Sequence, residues 1–292
     1  MSYVSKQINM EYTILNNGVR MPMLGFGVYQ IENIDECRRC LSAALESGYR
    51  LIDTAAVYLN EEAVGKAVIN SGIDRRELFI TSKVWIQDMG YDSALSAFDR
   101  TLRRLSTDYL DLYLLHMPFG DVFGAWRALE ELYRSGRVRA IGVCNFSKAR
   151  LADLMSHFDI RPMVNQVETN LFCQQKDMLG FCHRHDIQLE AWAPFAEGLN
   201  DFFNNTVLRR LSLKYNRTPA QVALRWLTQR GIVVIPKSVH NDRITENFNS
   251  LDFNIDYEDI AELDMQDGQI PVVGNFEDPD FVIDLCGRKY DI

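Results

Sequence analysis

Four side chains in this sequence have the right types to place a proton on a newly formed alkoxide: Asp53, Tyr58, Lys83 and His116. Tyrosine has a reference pKa of about 10, so it keeps its proton near neutrality. A nearby ammonium favours the phenolate and makes the phenol a better proton donor. A carboxylate beside the lysine keeps that lysine charged in a dry site, and a histidine can hydrogen-bond a substrate oxygen. Such a set suits hydride addition to a carbonyl, which creates an alkoxide that must be protonated. It does not suit acyl transfer, because no serine or cysteine nucleophile elbow accompanies it. Taken singly, each residue also has a plain structural reading. An Asp after a strand caps a helix, a Lys is solvated, and a His is a satisfied core residue.

Their joint position argues for chemistry. Eight short apolar runs punctuate the chain: 24–27, 50–53, 78–83, 110–116, 140–145, 163–166, 187–192 and 232–237. They lack strict alternation, as strands buried on both faces do. The stretches 60–70, 93–105 and 123–135 between them place apolar residues three and four apart, the spacing of amphipathic helices. Thr218-Pro219-Ala220-Gln221 reads as a capping box with proline at the first helical position. Gly48, Gly136 and Gly231 fall where helices should stop. Eight strands alternating with helices predict an α/β fold, a (β/α)8 TIM barrel. A doubly wound sheet is the rival, disfavoured by the repeat count and by the absence of a linker. Asp53, Lys83 and His116 then close the second, third and fourth strands, with Tyr58 five residues beyond Asp53. Barrel active sites lie at these C-terminal strand ends.

Before the barrel, Asn16-Asn17-Gly18 between Tyr12–Leu15 and Val19–Met23 predicts an N-terminal β-hairpin. The chain reads as one domain over 1–292, with the hairpin at 12–23 across the barrel bottom, the barrel at about 24–264 and a loop or surface tail from 265. With 292 residues, 47% hydrophobic and 24% charged, composition is that of an ordinary globular protein. The formal net charge of −9 repels phosphate backbones and argues against nucleic acid. No apolar run is long enough for a membrane helix, and Met1–Met10 lacks the apolar centre of a signal peptide. The six cysteines read as mostly free thiols in a reducing cytoplasm. Cys37 and Cys40 have C-x-x-C spacing, which suits redox chemistry or half a zinc site. With no second C-x-x-C, they read instead as two thiols one helical turn apart, and no metal site is expected. His183 and His185, close to Cys182, are read as structural.

Gly48-Tyr49-Arg50-Leu51-Ile52-Asp53-Thr54-Ala55, followed by Tyr58, Glu61 and Gly65, resembles the first signature of the aldo-keto reductases. Arg139-Ala140-Ile141-Gly142-Val143-Cys144-Asn145-Phe146 resembles the second, and Ile235-Pro236-Lys237-Ser238 with Arg243, Glu246 and Asn247 resembles the third. The match spans about Tyr12 to Asp264. The resemblance implies a catalytic tetrad of Asp53, Tyr58, Lys83 and His116, with Tyr58 as proton donor. It also implies NADPH bound without a Rossmann fold. In agreement, Gly25-Phe26-Gly27 is not continued as G-x-G-x-x-G.

Lys237, Ser238 and Arg243 follow the eighth strand, and two cations with a hydroxyl suit a phosphate monoester. By resemblance they hold the 2′-phosphate of NADPH, while Glu246 and Asn247 contact the adenine. The amides of Asn145 and Gln166 can bond a carboxamide, and Trp192 can stack on the nicotinamide. Pro194 and Phe195 join the cofactor set by the same resemblance. Cys144 and Ala196 stand where relatives often carry serine. The resemblance lines the substrate pocket with Tyr29, Val57, Trp85, Met117 and Phe119, walls suited to a small or medium carbonyl compound. Met117 stands where many relatives have tryptophan, which implies a wider cleft. The tracts His116–Val122 and Trp192–Gly198 are similar to the bacterial branch of 2,5-diketo-gluconate, glyoxal and methylglyoxal reductases. The resemblance suggests a monomer. The alternative function is an NADPH-binding regulatory subunit with this fold and little turnover.

Overall fold

The computed structural model describes residues 10–292. An antiparallel hairpin, β1 (Tyr12–Ile14) and β2 (Arg20–Pro22), precedes eight parallel strands. These are β3 (Gly25–Gly27), β4 (Leu51–Asp53), β5 (Phe79–Val84), β6 (Leu110–Leu115), β7 (Val138–Cys144), β8 (Val164–Glu168), β9 (Gln188–Trp192) and β10 (Val233–Val234). Each apolar run of the sequence overlaps one of them. Neighbours in sequence are neighbours in the sheet. A parallel bridge from Leu24 to Val234, with Val234 N–H donating to Met23 C=O at 3.0 Å, joins the first strand to the last. The result is the (β/α)8 barrel expected from the alternation.

The helices are α1 (Ile34–Ser47), α2 (Glu61–Asn70), α3 (Tyr91–Leu105), α4 (Val122–Arg134), α5 (Lys148–His157), α6 (Lys176–Arg184), α7 (Thr206–Tyr215), α8 (Pro219–Gln229), α9 (Asn241–Phe248), α10 (Tyr257–Asp264) and α11 (Pro279–Gly287). Local chemistry explains their ends. Asn33 accepts from Glu36 N–H at the start of α1, and Gly48 stops that helix at φ 112°. A Cβ on Gly48 would also lie 2.6 Å from the Phe248 ring, so both backbone and packing require glycine there. The capping box of α8 forms as expected: Thr218 Oγ1 accepts from Gln221 N–H at 3.2 Å, and Gln221 Oε1 accepts from Thr218 N–H at 3.0 Å. Gly65 lets α2 approach the end of α3, because a Cβ there would lie 2.5 Å from the Leu105 carbonyl oxygen.

The hairpin sits against the N-terminal ends of the strands. Asn16 Nδ2 donates to the carbonyls of Pro162 and Asp186, Asn17 Nδ2 to that of Arg139, and Thr13 Oγ1 to Gln188 Oε1. The main core fills the barrel and the layer beneath the helices, where Phe26, Tyr49, Leu112, Trp126 and Trp226 are fully buried. Cys37 and Cys40 are buried free thiols on α1. Among the described residues, no helix is long and apolar enough to cross a membrane.

The expected surface tail is the main correction. Residues 279–287 form α11, opened by Asp278, whose side chain accepts from Asp280 N–H, and by Pro279 in its first turn. Leu285 is buried with Trp85 and Met117 in a second apolar cluster joined by Phe276, Phe281 and Tyr290. The physical reason is the mouth itself. Trp85 and Met117 present apolar surface beyond β5 and β6, and the tail carries matching apolar side chains.

Candidate active site

Sheet register and one short turn assemble the four sequence-singled residues. Asp53 ends β4 opposite Thr81 of β5, and Lys83 lies two residues further along the same face. His116 follows β6 directly, its N–H donating to Val84 C=O at 3.1 Å. Tyr58 closes a single 3-10 turn, Ala56–Tyr58, and Leu59 then adopts a left-handed conformation at φ 57°. Asn60 fastens this loop. It accepts from Thr54 Oγ1 at 2.9 Å and donates to the carbonyls of Val28 at 2.9 Å and Ile31 at 3.3 Å. The sequence reading took Asn60 as a helix start only; its role in holding the Tyr58 loop left no local signal.

Lys83 is wholly buried and uses all three ammonium protons, on Asp53 Oδ1 at 2.6 Å, Thr54 C=O at 3.0 Å and the Tyr58 hydroxyl at 3.3 Å. An ammonium only donates, so the Tyr58 oxygen is the acceptor and its own hydrogen is free to point elsewhere. Burial, the largest single effect, would lower the Lys83 pKa; the Asp53 carboxylate, Tyr58 and Cys144 together outweigh it, and the net direction is upward. Burial likewise pushes the Tyr58 phenol up, and the opposing pull of Lys83 does not overcome it. The sequence reading weighed only the ammonium. The net direction leaves the phenol holding its proton, as a proton donor must before reaction. Burial, then Lys83, holds His116 well below the usual imidazole range, so its ring is neutral. That ring packs edge-on against Tyr58 at 5.7 Å and Trp85 at 5.0 Å between centroids, and its Nδ1 has no partner among the described residues.

The residues read as cofactor contacts form two groups. Asn145 stands just past β7 in a left-handed conformation (φ 64°). Its Nδ2 donates to His116 C=O at 3.1 Å, and its Oδ1 accepts from Trp192 Nε1 at 2.9 Å. Trp192 is thereby held by its edge. Gln166 has its Nε2 committed to Asp53 Oδ2 at 2.8 Å and Glu190 Oε2 at 3.0 Å, which leaves Oε1, 3.6 Å from Cys144 Sγ, as the amide atom that could face a carboxamide. The cause is the register, which pairs Gln166 with Glu190 across β8 and β9. Pro194 is buried and Phe195 half-buried, the latter against Phe202 and Phe203.

Lys237, Ser238 and Arg243 lie between β10 and the first turn of α9. Ser238 Oγ accepts from His240 N–H at 3.1 Å. Glu246 accepts from Thr218 Oγ1 at 2.7 Å, and Asn247 is buried behind it. Two cations and a hydroxyl at a helix start form a donor set that fits a phosphate.

Of the residues read as substrate contacts, Val57, Trp85, Met117 and Phe119 share the second cluster, and Tyr29 packs on Tyr58 with centroids 5.0 Å apart. The C-terminal tail, read from the sequence as a loop or surface tail, covers them. Gln87 exchanges two hydrogen bonds with the Tyr290 backbone, both at 3.0 Å. The buried Glu168 carboxylate accepts from the N–H groups of Val272, Val273 and Gly274, at 2.7 Å for Val272. The signal was present in the sequence: Asp278-Pro279 is a helix start, with Phe281 and Leu285 four apart behind it.

The comparisons show the class of oxidoreductase to which this barrel belongs. Residues 23–267 match the aldo/keto reductase family. A glyoxal reductase of Bacillus subtilis (strain 168) is 49% identical over 251 residues, covering 86% of this chain and 90% of that protein. Methylglyoxal reductase DkgA of Escherichia coli (strain K12) is 42% identical, covering 85% and 90%. A Bombyx mori aldo-keto reductase solved in complex with NADP superposes with a TM-score of 0.86 at 31% identity, covering 91% and 96%. The chain belongs to the aldo/keto reductase family.

Proposed function

We propose that this protein reduces small aldehydes, ketones, α-dicarbonyls or keto-sugars to alcohols with NADPH, and that Tyr58 donates the proton. The observation that carries the reading is the buried Lys83, bound at once to Asp53 and to the hydroxyl oxygen of Tyr58. NADPH, when bound, supplies the hydride. Tyr58 passes its free hydrogen to the carbonyl oxygen, and Lys83 stabilises the phenolate left behind. Asp53 keeps Lys83 charged and in place. The neutral His116 can hydrogen-bond the carbonyl oxygen without adding a second cation beside Lys83. The Trp85–Met117–Leu285 cluster keeps water from the reacting oxygen. Asn145 and Trp192 offer a fixed flat wall for the nicotinamide, and Lys237, Ser238 and Arg243 take the 2′-phosphate. The glyoxal and methylglyoxal reductases among the relatives support an α-dicarbonyl substrate.

NADPH consumption with glyoxal, methylglyoxal and an aromatic aldehyde tests this reading. Tight NADPH binding with no turnover across a broad carbonyl panel would favour the regulatory alternative. Two further results are expected. Lys237→Ala with Arg243→Ala removes two charge-assisted contacts of roughly 1.5–3 kcal/mol each, raising KM for NADPH about 10²-fold or more with little change for NADH. Equal changes for both cofactors would remove the 2′-phosphate from these residues. Truncation after Asp278 strips Phe281, Leu285 and Tyr290 from Trp85 and Met117. Losing the burial of one large apolar side chain, about 1.5–3 kcal/mol, predicts about tenfold or more lower kcat/KM for an aromatic aldehyde and a smaller loss for glyoxal. Equal losses for both would mean that the tail does not wall the pocket.

A further inference from the structure

Glu190 is a carboxylic acid in the middle of β9 with no exposure to solvent. Gln166 Nε2 reaches its Oε2 at 3.0 Å and Asp53 Oδ2 at 2.8 Å. Asp53 Oδ1 takes the Lys83 ammonium at 2.6 Å, and Lys83 reaches the Tyr58 hydroxyl at 3.3 Å. A continuous chain of hydrogen bonds therefore runs from Glu190 to the phenol. We propose that Glu190 is a positioning residue for carbonyl reduction: through the Gln166 amide it holds the second oxygen of Asp53, and with it the Lys83–Tyr58 pair. The proposal rests on the reductase reading given above.

Register brings the two side chains together, because Gln166 and Glu190 are direct partners on adjacent parallel strands. Both carboxylates draw on one amide nitrogen, whose two N–H groups match two acceptors. Among the described side chains, Gln166 is the donor to Asp53 Oδ2, so its orientation decides that of the carboxylate. Charge balance points the same way. The groups facing Glu190 are Asp53 on β4, Lys83 on β5, Cys144 on β7 and Gln166 on β8; β10 brings only Val233 and Val234. One ammonium in a dry interior balances one carboxylate. Asp53 touches that ammonium and Glu190 does not, so the proton falls to Glu190. Burial first, then the Asp53 charge, pushes its carboxyl up to about 8, against Gln166 and Lys83, which act in the opposite direction. Below that pH Glu190 is a neutral acceptor. Above it, a second negative charge lies behind Asp53 and weakens Tyr58 as an acid.

The test is the pH profile of kcat for NADPH-dependent reduction in wild type, Glu190→Gln and Glu190→Leu, with Tm over the same range. Wild-type kcat is expected to fall as pH rises through about 8. Glu190→Gln keeps the acceptor and cannot ionise, so it should match wild type near neutrality and lose that descent. Glu190→Leu frees Gln166 and should lower kcat about tenfold or more at every pH. A carboxyl that titrates at 4.5 unfolded and about 8 folded binds an extra proton in the folded state between those values. Wild type should therefore lose Tm relative to Glu190→Gln as pH rises across that window. Wild-type kcat in Glu190→Leu, a retained descent in Glu190→Gln, or a Tm difference independent of pH would overturn the proposal alone. If Glu190→Leu does not fold, the Glu190→Gln profile decides. A wild type without turnover overturns the reductase reading and this proposal with it.

Discussion

Tyr58→Phe is expected to lower kcat for carbonyl reduction by about 10²–10⁴, the usual contribution of a placed general acid, while leaving NADPH affinity unchanged. The substitution removes one oxygen and little else. The ring remains packed against Tyr29 and His116, and Lys83 keeps Asp53 and the Thr54 carbonyl. The fold and the cofactor pocket are therefore spared, and the loss falls on the step in which the carbonyl oxygen gains its proton. His116 cannot replace the phenol as donor of a full proton, because its imidazole is held neutral by burial and by Lys83. Steady-state kcat beside NADPH titration separates the two effects. Retained kcat in Tyr58→Phe would reject the phenol as proton donor.

Lys83→Met is expected to fail on two counts. Turnover should drop by about 10²–10³, the scale for losing a preorganised charge at a developing anion. Stability should fall by roughly 3–5 kcal/mol, because Asp53 is left as an unpaired buried charge, with side-chain exposures of 0% and 3% for the pair. For a chain of this size that is a Tm loss of roughly 5–8 °C. Adding Asp53→Asn removes the stranded charge, so the double variant should recover much of the Tm and none of the kcat. Thermal unfolding and kcat on both variants check this. A double variant no more stable than Lys83→Met, or a Lys83→Met enzyme with wild-type kcat, would break the assigned link between Asp53, Lys83 and Tyr58.

The barrel was legible because eight apolar runs flanked by amphipathic stretches admit few other arrangements, and the reactive residues stood at the ends of those runs. Asp53, Lys83 and His116 could be placed from strand ends alone, since a parallel barrel brings all such ends to one mouth. What the sequence hid was contact across long separations. Gln166 and Asp53 are 113 residues apart, and only the closed sheet brings them together. Asked what Gln166 could bond, the sequence offered a carboxamide; the strand register adds two acids on its amide nitrogen, which no local signal announced. Glu190 was visible as an acid inside an apolar run, an anomaly whose meaning depended on an ammonium four strands away. The tail was read as a loop because Pro271 and Pro279 interrupt it. The apolar spacing of Phe281 and Leu285 became informative only once an apolar mouth needed covering.

The most direct measurement is reduction of methylglyoxal or an aromatic aldehyde with NADPH deuterated at the transferring position of its nicotinamide. The expected product is an alcohol with one deuterium on the former carbonyl carbon, formed in step with NADPH loss and suppressed in Tyr58→Phe. Deuterium released to water, or bound NADPH that is never consumed, would contradict carbonyl reduction at this site.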